Sequence, residues 1–485
     1  MKIKKNRIAG SIILGIFALI EIIFMGVLFY TRMIPVLLWL GIGFLLFVLA
    51  AMVGVLTLTT RRKISFSIGT ILAIVSVVIF VLGGKYIWNT TTTLSDMSGI
   101  KTEIVQVGIY VREDDPAQTI KDTEVYNYGI LEELDRANTD QTVEEIEEEI
   151  GCELQITEYE GITQLVDGLL DGETGAIILN HAYLTVLEEV EGYTDITSKI
   201  RQISVKNVET EIKEKEQAEN GDVMTVYISG IDNRGEIVAS SRSDVNIIAV
   251  ANLETKQLLL VSTPRDYFVP LSISGGVPDK LTHAGIYGVN VSMDTLGMLY
   301  DTEIHNYFRL NFAGFEKIVD ALGGITVVSD YDFQTQNKKG FHFVQGENQV
   351  NGEQALAFAR ERYAFEAGDR QRGRNQMAVI QGVVKKAMSP VLLRSYTGIL
   401  ASVEGCFETN LSYEEIGKLV QRQLMDSGEW NIVSYSVDGT GDTLQPYSMS
   451  VPAYVMIPNE DTVAKAKELM QMVRDGEIIS QENLQ

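Results

Sequence analysis

Three long apolar runs open the chain: Ile8–Tyr30, Ile34–Thr59 and Ile64–Gly84. Each has at least 21 residues, enough at about 1.5 Å of helix per residue to cross a hydrocarbon core of about 30 Å. A signal peptide would show one shorter apolar region and a small-residue cleavage site. Three consecutive runs with short connections predict instead a membrane anchor of three helices over residues 1–85. The polar segment 86–100, with its threonines and serines, reads as a stalk.

Beyond residue 100 the apolar positions come in shorter runs that alternate between strand and helix spacing. Glu103–Val111, Glu153–Tyr159 and Gly175–Leu179 read as strands, and Asp140–Ile150 and Gly161–Leu170 as helices. This alternation predicts a small accessory α/β domain over 101–220. The acidic run Glu144–Glu149 reads as a solvated helix face. No catalytic constellation is visible in this stretch. The charged segment Lys213–Asp222 marks its end.

Downstream, Val223–Gly230, Val245–Ala251 and Gln257–Val261 read as strands, the last two joined as a hairpin by Asn252–Lys256. Asn311–Leu322 carries Phe312, Phe315, Ile318, Val319 and Leu322 at helical spacing, and Gly323-Gly324 stops that helix before a strand at Ile325–Val328. Further helices are predicted at Gly352–Tyr363, Arg370–Met388 and Asp461–Asp475, with Pro390 ending the second. Mixed strands and helices imply an α/β/α sandwich over 221–485 rather than an all-β barrel.

Charge divides the 485 residues in the same place. The whole chain carries −25, yet residues 1–85 hold nine basic residues and one acid, Glu21, for a net +8; the remainder carries −33. The basic residues sit in the N-terminal tail and at Arg61–Lys63, with only Arg32 between the first two runs. Positive loops stay cytoplasmic, so the tail and the Arg61–Lys63 loop are expected inside and everything after about residue 85 outside. Glu21 reads as a polar contact between spans. An acidic exterior disfavours broad nucleic-acid binding by the large domain. Cys152 and Cys406 lie in different predicted domains and are expected to be free thiols.

Within the acidic exterior, Arg360, Arg362, Arg370, Arg372 and Arg374 crowd into fifteen residues. Arg265-Asp266 follows a predicted strand, and Arg242 precedes Asp244 in a loop. Arginine forks suit phosphate oxygens, and free N–H groups at the start of a helix add to an anion site. Arg372, Gln376 and Val379 share one face of their helix, with Asp369 as its expected N-cap. Pairing of these arginines with Glu361, Glu366 and other acids is the competing reading, and spacing alone does not choose. Asp232 and Asp244 each border a predicted strand and are candidate magnesium ligands, since magnesium takes one or two carboxylates plus substrate phosphates. His181, His283, His305 and His342 show no metal spacing, and there is no Walker loop, GxSxG or HExxH.

The stretch 228–271, KLTHAGIYG (280–288), YFRLNFAGFEKIVDALGGITV (307–327) and 351–390 together resemble the LytR-CpsA-Psr family, in the family's order. The resemblance implies an outward-facing, multi-pass cell-membrane protein of Gram-positive bacteria. Its activity would be that of a phosphotransferase moving a glycopolymer, here capsular polysaccharide, from a polyprenyl-pyrophosphate carrier to peptidoglycan. It implies a hydrophobic pocket for the carrier's tail and arginines for its pyrophosphate. Asp232 and Asp244 match the family's magnesium ligands. Arg265, Arg360, Arg362, Arg372 and Gln376 match its pyrophosphate-binding set. Arg242 and Asp369 fall on polar site positions, and Lys280 opens the KLTHAGIYG motif. A base for the acceptor hydroxyl could be Asp369 or Asp266. A regulator of capsule-operon transcription, a non-catalytic polyprenyl-phosphate scaffold and a pyrophosphatase are the alternatives.

Overall fold

The computed structural model describes residues 2–30, 36–59, 63–97, 102–212, 221–231, 241–336, 340–366, 368–389, 403, 406–426 and 428–484. Asp232 lies outside the described residues, as do most of the boundary segment 213–222 and Pro390. The chain forms two compact units. One comprises residues 1–99, 388–404 and 411–428; the other comprises 100–387, 405–410 and 429–485.

The first unit contains three long helices, Lys2–Tyr30, Val36–Gly54 and Lys63–Met97, the second prolonged by a π-helical turn at Val55–Thr59. Their stretches Ile8–Tyr30, Trp39–Leu58 and Lys63–Lys85 are long and apolar enough to cross a membrane. Phe17, Leu46, Val53, Ala73 and Phe80 form the seam between them. Most other apolar side chains, such as Ile12, Phe44 and Ile71, point outward, which suits a lipid solvent. Small residues let the backbones approach: a Cβ on Gly10 would lie 2.7 Å from the Thr57 carbonyl oxygen. Glu21 faces the seam, 8% exposed. The polar segment expected as a stalk continues the third helix to Met97. An established helix extends cheaply because nucleation is already complete, so Thr and Ser do not end it. This unit also holds the helix Tyr413–Met425, capped reciprocally by Ser412 and Glu415.

The second unit contains two main sheets. In the first the strand order is Gln155–Tyr159, Asn127–Leu131, Ala176–Asn180, Thr102–Arg112, Ile200–Glu211. The first three strands are parallel, joined through the helices Arg136–Ile150 and Ile162–Leu170. The central strands are buried on both faces. Ile178 and Ile109 pack toward Ile146 of one helix, while Ile177 and Leu179 pack toward Leu165 and Leu169 of the other.

The second sheet runs Phe407–Thr409, Asn306–Asn311, Val223–Ile231, Ser243–Asn252, Gln257–Thr263, Asn431–Ser436. The predicted hairpin is there, with Asn252 opposite Gln257. Alternation of side chains along a strand divides the two faces. Ile248, Val250, Leu259 and Val261 meet the helices Val289–Tyr300 and Glu460–Arg474. Ile247, Ala249, Leu258 and Leu260 meet Met377, Ile380 and Val384 of the helix Asp369–Ala387. Helices therefore cover both faces, as the α/β/α sandwich requires. The helices Phe312–Ala321 and Gly352–Arg360 complete the second helical layer. Asn311 caps the former and Asn351 the latter.

Four local expectations are corrected. Gly352–Arg360 ends before Tyr363, because Glu361 turns to extended backbone and its Oε1 accepts the N–H groups of Arg362, Tyr363 and Ala364. Asp244 lies within the strand Ser243–Asn252, since pairing with Val223–Ile231 extends that strand beyond its apolar run. Asp369 is the first residue of its helix rather than the residue before it. The helices Val289–Tyr300 and Tyr413–Met425 and the strand Asn431–Ser436 were missed; the strand is short and flanked by polar residues.

The two sheets are joined through charge buried between them. Arg309 Nη1 lies 3.5 Å from Glu103 Oε2 and Nη2 lies 2.7 Å from Glu408 Oε2. Burial pushes the Glu103 carboxyl above the usual carboxylate range, and Arg309 opposes that shift. Glu103 also accepts the Val289 N–H at 3.3 Å. Gly288 is required beside it: its φ is +98°, and a side chain there would collide with the Glu103 carboxylate.

Candidate functional site

A cavity of about 610 Å³ opens between the second sheet and the helices Phe312–Ala321, Gly352–Arg360 and Asp369–Ala387. Ile228, Phe308 and Leu310 of the sheet and Phe312, Phe315, Ile318 and Leu356 of the helices line it. The helix expected from this spacing both lines the cavity, through Phe312, Phe315 and Ile318, and packs into the core, through Val319 and Leu322. One flank of the helix Asp369–Ala387 runs the length of the cavity. Arg372, Gln376, Val379, Ile380, Val383 and Val384 line it in turn, a span of about 18 Å at 1.5 Å per residue. The end at Arg372 is charged and the lining stretch Val379 to Val384 is apolar; Glu316 and Glu353 also line the cavity.

The charged end gathers residues distant in sequence. Arg242, Asp244, Arg265, Arg360, Arg362, Arg372 and Gln376 all line the cavity. Arg265 and Asp244 sit at the ends of adjacent strands, with Arg265 Nη1 donating to Asp244 Oδ1 at 3.0 Å and Nε 3.6 Å from Asp266. Burial works against charge on Arg265, but Asp244, Asp266 and Glu189 outweigh it and hold the guanidinium protonated. Lys280 does not line the cavity; it stands behind this cluster, 7% exposed, with Nζ 3.3 Å from Asp266 Oδ1. Arg360 lies over the Phe312 ring, its guanidinium carbon 4.3 Å from the centroid. Arg362 stacks on Tyr363 and donates to its hydroxyl at 2.5 Å.

The arginine cluster divides. Arg360, Arg362 and Arg372 face the cavity. Arg370 pairs with Asp438 at 2.9 Å and donates to the Gly439 carbonyl at 2.7 Å. Arg374 donates to Gln371 at 2.8 Å and lies 3.6 Å from Asp330. Pairing with acids thus holds for Arg370 and Arg374, while Arg360, Arg362 and Arg372 line the cavity. On the helix Asp369–Ala387, spacing of 100° per residue separates Arg372 from the other two.

Asp244 presents a carboxylate in the cavity wall, in contact with Arg265 and 3.5 Å from Thr282 Oγ1. One such carboxylate beside a phosphate fits what magnesium accepts. Among the described residues no group of three or more His, Cys, Asp or Glu could hold a metal ion; Asp232 lies outside them, and so does the Asp369 side chain. His283 is fully buried beside Asp279 and Ser448, at 2.8 and 2.9 Å, away from the cavity.

Among the lining residues that sequence reasoning missed is Glu189, which comes from a turn packed on the first sheet's side of the unit. It contacts Arg242 and lies 3.9 Å from Lys280. Burial opposes its charge, but Arg242, Lys280 and Arg265 prevail and hold the carboxyl below the usual range. Nothing in the acidic run around Glu188-Glu189 distinguishes it from a solvated turn.

Residues 190–471 match the LytR_cpsA_psr family. The chain belongs to that family. Among its relatives is the polyisoprenyl-teichoic acid–peptidoglycan teichoic acid transferase TagU of Enterococcus faecalis, 33% identical over 249 residues, 49% of this chain and 80% of the relative. The Bacillus cereus TagU is 32% identical over 227 residues, covering 46% and 73%. Among solved structures, the LytR_cpsA_psr core is similar to protein gbs0355 from Streptococcus agalactiae, with 26% identity and a TM-score of 0.46 over 56% of this chain and 93% of that one.

Proposed function

We propose that this protein is a membrane-anchored phosphotransferase that moves a glycopolymer from a polyprenyl-pyrophosphate carrier to peptidoglycan. The observation that carries this reading is the cavity itself: a channel about 18 Å long in all, walled by Val379, Ile380, Val383, Val384, Phe315 and Ile318 along one part and by Arg265, Arg360, Arg362 and Arg372 at its end. A long isoprenoid tail fits the first part and a pyrophosphate the second. The TagU relatives bear the names of transferases joining a polyisoprenyl-carried polymer to peptidoglycan. We take capsular polysaccharide as the polymer. The helices of residues 1–85 would hold the cavity at the outer face of the membrane, with the N-terminus inside.

The arginines bind and orient the pyrophosphate by two-point hydrogen bonding. An acceptor sugar hydroxyl attacks the phosphorus nearer the glycan. The bond from that phosphorus to the bridging oxygen breaks, and polyprenyl phosphate leaves with the bonding electrons. The hydroxyl proton passes to a base, for which Asp266 and Asp369 are candidates. Arg265, fixed by Asp244 and Asp266, stabilises charge gathering on the leaving phosphate. Magnesium held by Asp232 and Asp244 would, when bound, neutralise the phosphates. The test is release of polyprenyl phosphate by the purified full chain from a lipid-pyrophosphate glycan. Release that depends on added peptidoglycan supports the transferase. Release without it makes the protein a pyrophosphatase, and binding without release makes it a scaffold.

A further inference from the structure

We infer that Glu361 is a positioning residue of the pyrophosphate site: its buried carboxylate fixes the turn that carries Arg362 and so presents that arginine to the cavity before a substrate arrives. The inference rests on the proposed function.

Arg360 and Arg362 stand two residues apart. On a continuing helix their side chains would point about 200° from each other, and one of them would miss the cavity. Both line it. The helix Gly352–Arg360 stops at Arg360, and Glu361 takes an extended conformation, φ −70° and ψ 130°. One extended residue between them lets both arginines reach the same wall, while the Glu361 side chain turns away and is 0% exposed.

The carboxylate holds this break in the helix. Oε1 accepts the N–H groups of Arg362, Tyr363 and Ala364 at 3.0, 2.9 and 3.1 Å, a side-chain cap of the kind that competes with helix continuation. Oε2 accepts the Gln336 N–H at 2.7 Å, which ties the turn to the segment after the strand Phe333–Gln334. That strand is itself fixed, since the Phe333 ring packs on Phe358 and Phe365 with centroids 5.7 and 4.7 Å apart. The turn also carries the support of Arg362. The Tyr363 ring centroid lies 4.6 Å from the Arg362 guanidinium carbon, and the Tyr363 N–H is bound to the same carboxylate. Four N–H donors converge on Glu361 from two segments. Only a carboxylate offers an acceptor oxygen to each set; an amide of the same shape turns an NH2 group toward one of them. An arginine held in this way has less freedom to lose on binding.

The experiment is a double-mutant cycle on binding of geranylgeranyl pyrophosphate to the full chain in neutral detergent. Glu361→Gln and Arg362→Ala should each weaken binding about tenfold, the worth of a charged hydrogen bond. The double variant should bind within about twofold of Arg362→Ala, because Glu361 acts through Arg362. A merely structural carboxylate would lower the thermal midpoint yet give losses that multiply to about a hundredfold. That result, or unchanged binding in Glu361→Gln, would overturn the inference alone. Amide exchange of the wild-type chain reads the same turn without a substitution. The amides of Arg362, Tyr363 and Ala364 should exchange slowly in the absence of ligand. Rapid exchange that slows only with geranylgeranyl pyrophosphate would mean that the ligand orders the turn, and would overturn the inference whether or not Glu361→Gln folds. Failure of the wild-type protein to bind geranylgeranyl pyrophosphate would overturn the proposed function and the inference with it.

Discussion

Arg265 and Asp244 lie 3.0 Å apart on neighbouring strands, two residues past the paired Thr263 and Asn246 on each side. The sheet register thus delivers a cation and an anion together to the cavity, at 16% and 14% exposure. Removing the cation takes from Asp244 its ion-pair partner and from the site a fixed donor. Arg265→Ala should lower kcat/KM for polyprenyl phosphate release by about 100-fold or more. Arg265→Lys should recover little of it, because an ammonium lacks the fork. Steady-state kinetics of both variants checks this.

The division of the arginine cluster predicts a contrast between near neighbours. Arg372 lines the cavity, whereas Arg374 is bonded to Gln371 and Asp330. Arg372→Ala should lose at least about tenfold in kcat/KM, the worth of one charged hydrogen bond. Arg374→Ala should stay within about twofold, as exposed pairs contribute little. Equal losses in the two would contradict this orientation of the helix.

The apolar end of the cavity should be sensitive to volume. Ile318→Trp fills part of it. The KM for a donor with a long isoprenoid tail should rise about tenfold, while inhibition by inorganic pyrophosphate stays constant. Overpacking of this kind costs about 1–3 kcal/mol, so the ratio of the two effects is the informative readout.

Asp135 predicts a pH dependence of stability. Burial pushes its carboxyl up to about 6, despite hydrogen bonds from Asn180 at 2.7 Å and Asn138 at 2.6 Å. The folded state therefore binds the proton more tightly than the unfolded chain. The stabilisation is complete below the unfolded value of 3.8 and is lost as pH rises through about 6. The expected loss is about 1–3 kcal/mol. Asp135 has φ of 54°, a conformation asparagine tolerates, so Asp135→Asn keeps the backbone. It should flatten this part of the curve of thermal midpoint against pH.

Orientation is open to a direct test. Alkaline phosphatase fused after Lys85 should be active outside the cell, and the same reporter fused after Arg62 should be inactive. The reverse pattern would place the large unit in the cytoplasm, and the proposed transfer to peptidoglycan would fall.

What could be read from the sequence was whatever local spacing encodes. Short apolar runs such as Val245–Ala251, the helical face from Phe312 to Leu322 and the lengths of the three long apolar runs need no partners to declare themselves. Asn431–Ser436 could not be read in this way, because pairing with Gln257–Thr263 is what makes it a strand. Chemical type was also legible: arginines crowded in an acidic region, with aspartates at strand ends, point to an anion whatever the fold. Helical spacing separates Arg372 from Arg370 and Arg374, since a two-residue step turns a side chain by about 200°, but only tertiary structure decided which of those faces looks into the cavity. It decided how far the apolar channel runs, because its walls come from elements up to 156 residues apart, Ile228 and Val384. And it brought Glu189, from a turn packed against the first sheet, to Arg242, a contact that depends on how two cores pack and so leaves no periodic trace in the chain.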